Sequence, residues 1–226
     1  ALVLLDTDVA PNRTADRAIT DRLYSGDRRH RIEQELILGV GGARALVALG
    51  WDTPVLHLNE GHAGFLSLTL LDQARAPGGA VNLAAAVDQV NPQVLFTTHT
   101  PVPAGIDRVP RDLIERHLRP WADAWGDPID ELMALGEDPH DGTEVFNMAA
   151  LCLRASARAN GVSKLHGAVS RELFSKVPGG SQIGSVTNGV HARTWVMPRL
   201  QVAFDEALGA GWEHGDAQAW AQVDRL

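Results

Sequence analysis

The alternation of short apolar runs with longer helical patterns constrains this chain more than any other feature. The runs Leu2 to Leu5, Pro54 to Leu58, Val94 to Thr98 and Gln182 to Val186 are each too short for a helix, and each is followed by turn-forming or capping residues. Between them lie segments with a helical rhythm: Arg31 to Leu49, Ala63 to Gln73, Leu83 to Val90, Arg111 to Leu118, Val145 to Ala159 and Lys164 to Phe174. Parallel strands need a long crossover, usually a helix, so this alternation predicts an α/β fold: a Rossmann-like parallel sheet flanked by helices. Apolar residues make up 45% of the 226 residues, enough to bury a sizeable core. Gly39, Gly41 and Gly42 interrupt the first long helix and mark a close packing contact, while Gly136 to Gly142 reads as a surface loop.

Composition narrows the partners. Acidic residues outnumber basic ones by 28 to 20 and no basic run stands out, which argues against nucleic acid as a ligand. No apolar run is long enough to span a membrane and no secretory leader is visible, so the expectation is a cytoplasmic protein without a membrane partner. Cys152, the only cysteine, sits in the apolar run Ala149 to Leu153 and reads as a buried, unreactive thiol. The chain opens directly into a strand-like run and stops at Val223 to Leu226 inside a helical-looking segment, so residues 1–226 read as part of something longer.

In open parallel sheets, ligands gather beyond the carboxyl ends of the strands. Three segments fall there: Leu58-Asn59-Glu60-Gly61-His62, Thr97-Thr98-His99-Thr100-Pro101-Val102-Pro103, and Val186-Thr187-Asn188-Gly189-Val190-His191-Ala192-Arg193-Thr194-Trp195. Together they bring amide, imidazole, hydroxyl and carboxylate groups to one rim. That mixture suits a sugar, whose hydroxyls both donate and accept. Taken singly, each residue has a plainer reading: a turn or capping histidine at His62 or His99, and a turn dipeptide at Asn188-Gly189. Asn160 to Lys164 reads as a turn between helices with Ser163 as a cap, and His166 as structural. His57 and His62 are five apart with a glycine between them, not one helical turn apart, which argues against a zinc site. Gly39 to Gly42 lacks the Lys-Ser/Thr that completes a phosphate loop.

The segments in this order resemble the α-glucan phosphorylases. His57 to Phe65 is similar to that family's Leu-Asn-(Asp/Glu)-x-His segment, and Thr97 to Pro103 to its Thr-x-His-Thr strand end. Phe146-Asn147-Met148 with Asn160 to His166 is similar to its Asn-Met and Asn-Gly-Val-x-x-x-His pair, and Thr187 to Trp195 to its Thr-Asn-Gly-x-x-x-Arg-x-Trp stretch. The resemblance implies that this is part of the N-terminal half of a two-domain, GT-B-type glycosyltransferase acting on α-1,4-glucan and inorganic phosphate. It also implies pyridoxal phosphate on a lysine of the other half, because neither Lys164 nor Lys176 stands in a matching context. By the same resemblance His99 is the catalytic contact, with its side chain on the 6-hydroxyl and its backbone carbonyl near the developing positive charge. Asn188 holds sugar hydroxyls, Glu60 and His62 support His99 and line the acceptor path, and Thr100 shapes the same wall. The family suggests homodimers. Where the vertebrate and plant members carry a glutamate shortly after the Thr-x-His-Thr turn, this chain has Asp107 a little further on, which looks more like the short bacterial branch. Two other readings stay open: a nucleotide-sugar-dependent glycosyltransferase of the same architecture, and a non-catalytic glucan-binding module.

Overall fold

A computed structural model describes residues 2–23, 26–52, 54–215 and 220–221. The chain divides into two compact units, Ala1–Thr187 and Asn188–Leu226.

The first unit is built on four parallel strands, β1 (Leu56–Asn59), β2 (Val94–Thr98), β5 (Arg158–Gly161) and β6 (Gly184–Ser185), in the order β1-β2-β5-β6. The register pairs Asn59 with Thr97 and Thr97 with Asn160, so the carboxyl ends of β1, β2 and β5 lie level. Leu58, Val94 and Phe96 are almost wholly buried, as expected for strands inside a parallel sheet.

Helices α1 (Arg28–Leu36) and α2 (Gly42–Ala48) run on from one another through a π-helical turn, Ile37–Gly41. Then follow α3 (Leu66–Ala74), α4 (Leu83–Val90), α5 (Arg111–Trp125), α6 (Ile129–Ala134), α7 (Met148–Ala155) and α8 (Lys164–Leu173). Side-chain caps set several of their starts. Asp27, Asn82 and Ser163 accept the backbone N–H of His30, Ala85 and His166, at 3.0, 2.9 and 3.0 Å. The close contact expected from the glycines falls on Gly39, where an added Cβ would stand 2.5 Å from the Leu66 backbone nitrogen. Gly42 has open space around it. A short antiparallel ribbon, β3 (Arg108–Pro110) with β4 (Val145–Asn147), pairs Val109 with Phe146.

Several expectations need correction. Leu2 to Leu5 forms no strand: Leu2 and Leu4 are 84% and 80% exposed, and no described strand pairs with the run. The strand expected over Gln182 to Val186 shrinks to Gly184–Ser185. Val145 to Ala159 is not one helix; Asn147 ends β4 and caps α7, and β5 begins at Arg158. Asn160-Gly161 is therefore the end of a strand rather than a turn between helices, although Ser163 is the cap expected of it. The helix from Arg111 runs past Leu118 to Trp125, across Pro120, because Ile114, Leu118 and Ala122 form one buried stripe. The helical-looking end at Val223 to Leu226 lies outside the described residues.

The second unit holds α9 (Ala192–Trp195) and α10 (Pro198–Leu208). Arg193 organises it, donating to Asp205 at 2.8 Å and Glu213 at 2.8 Å with its guanidinium 5.3 Å from the Trp212 ring centre. Phe204, Trp212 and Trp220 pack edge to face against one another.

Candidate functional site

The turn after β1 brings Glu60 directly beneath the turn after β2. Glu60 is the only non-glycine among the described residues with positive φ, at φ 66° and ψ 177°. That backbone region is essentially reserved for glycine and costs of order 1–3 kcal/mol, so something must hold Glu60 in it. Three consecutive residues do. One carboxylate oxygen, Oε1, accepts the Thr98 hydroxyl at 3.4 Å, the Thr100 hydroxyl at 3.2 Å and the His99 backbone N–H. The next residue, Gly61, is buried, and an added Cβ would stand 3.0 Å from Met148 Cβ, so the start of α7 presses the turn into place.

His99 itself is exposed. Its Nε2 lies 2.8 Å from Asn59 Oδ1, an acceptor to which a protonated Nε2 donates. One layer below the rim, His57 Nε2 meets Thr97 Oγ1 at 2.7 Å, and that hydroxyl donates to Asn160 Oδ1 at 3.1 Å. The relay ties β1, β2 and β5 together on one face of the sheet.

His62 departs from the expected pattern, entering a cluster of its own. Its Nδ1 lies 3.1 Å from Asp107 Oδ2, 3.8 Å from Glu35 Oε1 and 2.8 Å from Arg31 Nη2. Arg31 Nε also lies 3.0 Å from Glu35 Oε1, one helical turn along α1. A guanidinium has no lone pair and can only donate, so its contact with Nδ1 competes with the Asp107 bond, which needs a proton there. The carboxylates prevail: the hydrogen bond to Asp107, then that to Glu35, push His62 up to about 9. Burial raises the Glu35 carboxyl. Asp107 is held below the ordinary carboxylate range by His62 and Arg31, against the opposing effect of its burial. The ligand atoms of Glu35, His62 and Asp107 lie within 4.8 Å of one another, a spacing a divalent cation could use. Arg31 already supplies positive charge there, and with His62 protonated it balances the two carboxylates. An open cavity of about 460 Å³ joins this cluster to Thr100.

The structure thus brings Glu60, His99 and Thr100 together at one rim, with His62 beside them in the Arg31 cluster. Asn188 begins the second unit and is exposed, ahead of α9. The sequence reading placed Asn59 in the rim segment without giving it a role of its own, and missed Arg31 and Glu35; the Arg-Glu spacing of four on α1 was the one visible signal for those two. His166 is structural as expected: it is buried and its Nδ1 accepts the Val162 N–H at 3.1 Å. Cys152 is fully buried. Among the described residues no helix is long and apolar enough to cross a membrane.

No protein-family model matches the chain. Glycogen phosphorylase of Mycobacterium tuberculosis is 45% identical to it over 92% of the chain, covering 26% of that protein. Maltodextrin phosphorylase of Thermococcus litoralis is 38% identical over 100% of the chain and 27% of its own length. Glycogen phosphorylase of Aquifex aeolicus is 34% identical over 98% of the chain and 32% of its own length. The chain spans between a quarter and a third of these relatives. Set beside the four segments at the ends of the strands and in the second unit, these identities show a chain that matches, almost end to end, one stretch of the glycogen and maltodextrin phosphorylases.

Proposed function

We propose that the polypeptide to which this stretch belongs is an α-glucan phosphorylase, cleaving α-1,4-linked glucose from glycogen or maltodextrin with inorganic phosphate to release glucose 1-phosphate. The observation that carries the reading is the anchoring of the His99 main chain by Glu60. A cleaving glucosidic bond develops oxocarbenium-like positive charge, and a carbonyl dipole fixed in advance stabilises it without reorganising. His99 is the catalytic contact in this reading: its backbone carbonyl faces the developing charge, and its Nδ1 accepts the 6-hydroxyl. Thr100 forms part of the acceptor wall, and Asn188 is read as a contact to sugar hydroxyls. The cleavage retains configuration.

Pyridoxal phosphate supplies the proton exchange with substrate phosphate in this family, and its lysine belongs to the part outside this stretch. Lys164 and Lys176 are both exposed, one at the first turn of α8 and the other beyond its end. The full-length protein is read as two GT-B-type domains facing across a cleft, as a homodimer, and as cytoplasmic. This stretch alone supplies glucosyl and acceptor contacts and is inactive.

The test is to supply the full-length polypeptide with pyridoxal phosphate, maltodextrin and phosphate and to measure glucose 1-phosphate. Product that disappears in His99→Ala supports the reading. Cofactor-loaded protein that makes none, or that consumes a nucleotide sugar instead, overturns it.

A further inference from the structure

The loop from His99 to Asp107 links β2 to β3 and carries the proposed catalytic contact. Its middle is exposed from Pro101 to Gly105 and is held by Gly105 N–H to Val102 O at 3.1 Å, by Ile106 N–H to Pro103 O at 3.3 Å and by the Arg108 guanidinium, which donates to the Pro103 carbonyl from β3. Its two ends are different. The start is bound to Glu60 through Thr98, His99 and Thr100. The end is bound through Asp107, whose carboxylate meets His62 at 3.1 Å and Arg31 at 3.5 Å and whose carbonyl accepts the Met148 N–H at 3.0 Å. Glu60 and His62 are two residues apart in one tight turn, and the strained φ of Glu60 lets that turn serve both ends.

We propose that the turn Glu60–His62 is a two-point clasp on the His99 loop, in which Glu60 fixes the start and His62, through Asp107, fixes the end. Both side chains are then positioning residues, and neither needs to touch the glucan. A loop pinned at one end swings about that point, whereas a loop pinned at both ends keeps the His99 carbonyl and the Thr100 wall in one geometry. Misplacement of a reacting group by about 1 Å is enough to lose on the order of 100-fold in rate, which gives two anchors a purpose beyond stability. The catalytic consequence rests on the phosphorylase reading; the clasp itself does not.

The experiment follows backbone amide exchange in the full-length polypeptide and glucose 1-phosphate formation side by side. Glu60→Ala is expected to raise exchange at the His99 amide about 10- to 100-fold, the range for losing hydrogen bonds to a charged acceptor, and to lower kcat while KM stays within about twofold. Glu60→Gln keeps an acceptor oxygen and is expected to recover much of both. His62→Gln is expected to raise exchange at Gly105 and Ile106 and to lower kcat despite having no contact with His99. Should Glu60→Ala fail to fold, the Glu60→Gln and His62→Gln proteins still decide the matter. Unchanged exchange at both loop ends, or Gln at position 60 as damaging as Ala, overturns the clasp. A wild-type protein that forms no glucose 1-phosphate removes the phosphorylase reading and leaves the exchange measurements to judge the clasp alone.

Discussion

Gly39 and Gly42 stand in one continuous helical run, yet replacing each by alanine is expected to act in opposite directions. Alanine is favoured over glycine inside a helix by about 1 kcal/mol, so propensity alone stabilises both variants. At Gly42 nothing lies within 4 Å of the new Cβ, and the gain stands unopposed. At Gly39 the new Cβ meets the Leu66 nitrogen at 2.5 Å and the Phe65 carbonyl carbon at 2.8 Å, which are main-chain atoms that cannot rotate away. Phe65 is fully buried and Leu66 opens α3, so relief means shifting α3 or the π turn. Overpacking of this kind costs about 1–3 kcal/mol, and a backbone clash belongs at the upper end. Gly39→Ala should therefore lose about 1–2 kcal/mol net, which places the two variants roughly 2–3 kcal/mol apart. Urea denaturation followed by circular dichroism separates them, since the slope should stay unchanged while the midpoints move in opposite directions. Equal midpoints would refute the packing argument. The Gly39 contact lies just beyond the turn that holds Glu60 and His62, so the destabilised variant should also loosen the rim.

Three further outcomes follow from the same geometry. His62, pushed up to about 9 from an ordinary value near 6.5, contributes stability that is complete below pH 6.5 and lost as pH rises through 9; His62→Gln should flatten that part of a stability–pH curve, and an unchanged curve would speak against the Asp107 and Glu35 pairing. Asn147 is fully buried, accepts the Ala149 and Ala150 N–H groups at 3.0 and 3.2 Å and donates to Asp141 at 3.0 Å. Asn147→Ala should cost about 2–3 kcal/mol, combining a lost cap with a lost charged hydrogen bond, and a denaturation midpoint equal to wild type would contradict it. Burial holds the Cys152 thiol well above its ordinary range, so a maleimide should label it only under denaturing conditions; labelling of the native protein at the rate of a free thiol would show that the packing around α7 opens.

How much of the candidate site's geometry was legible in the sequence differs from residue to residue. The positions of Glu60, His99 and Thr100 could be anticipated because each comes within two residues of the end of a strand whose apolar run could be read, and strand ends place their successors at the rim. The position of His62 was legible for the same reason, but its partners were not. Asp107 lies 45 residues away and Arg31 lies 31 away, and nothing local in either marks the other. The positive φ of Glu60 was equally invisible, since a glutamate in a turn gives no hint that it holds a conformation suited to glycine.

The fold shows the same division. Strands β1 and β2 and helix α4 were readable because apolar spacing and capping residues are local properties of the chain. The run Leu2 to Leu5 has strand-like letters and forms no strand, since a strand exists only where a neighbour offers its backbone hydrogen bonds. Val145 to Ala159 carries enough apolar residues for one helix, yet pairing of Phe146 with Val109 and of Ala159 with Phe96 draws its two ends into separate sheets. By itself the sequence determined that a parallel sheet would form and that turns would follow β1 and β2 directly, because periodicity is written within a few residues. Only the tertiary structure decided which charges meet, where the backbone is strained and which apolar runs become strands, because each of these depends on groups the chain brings together from far apart.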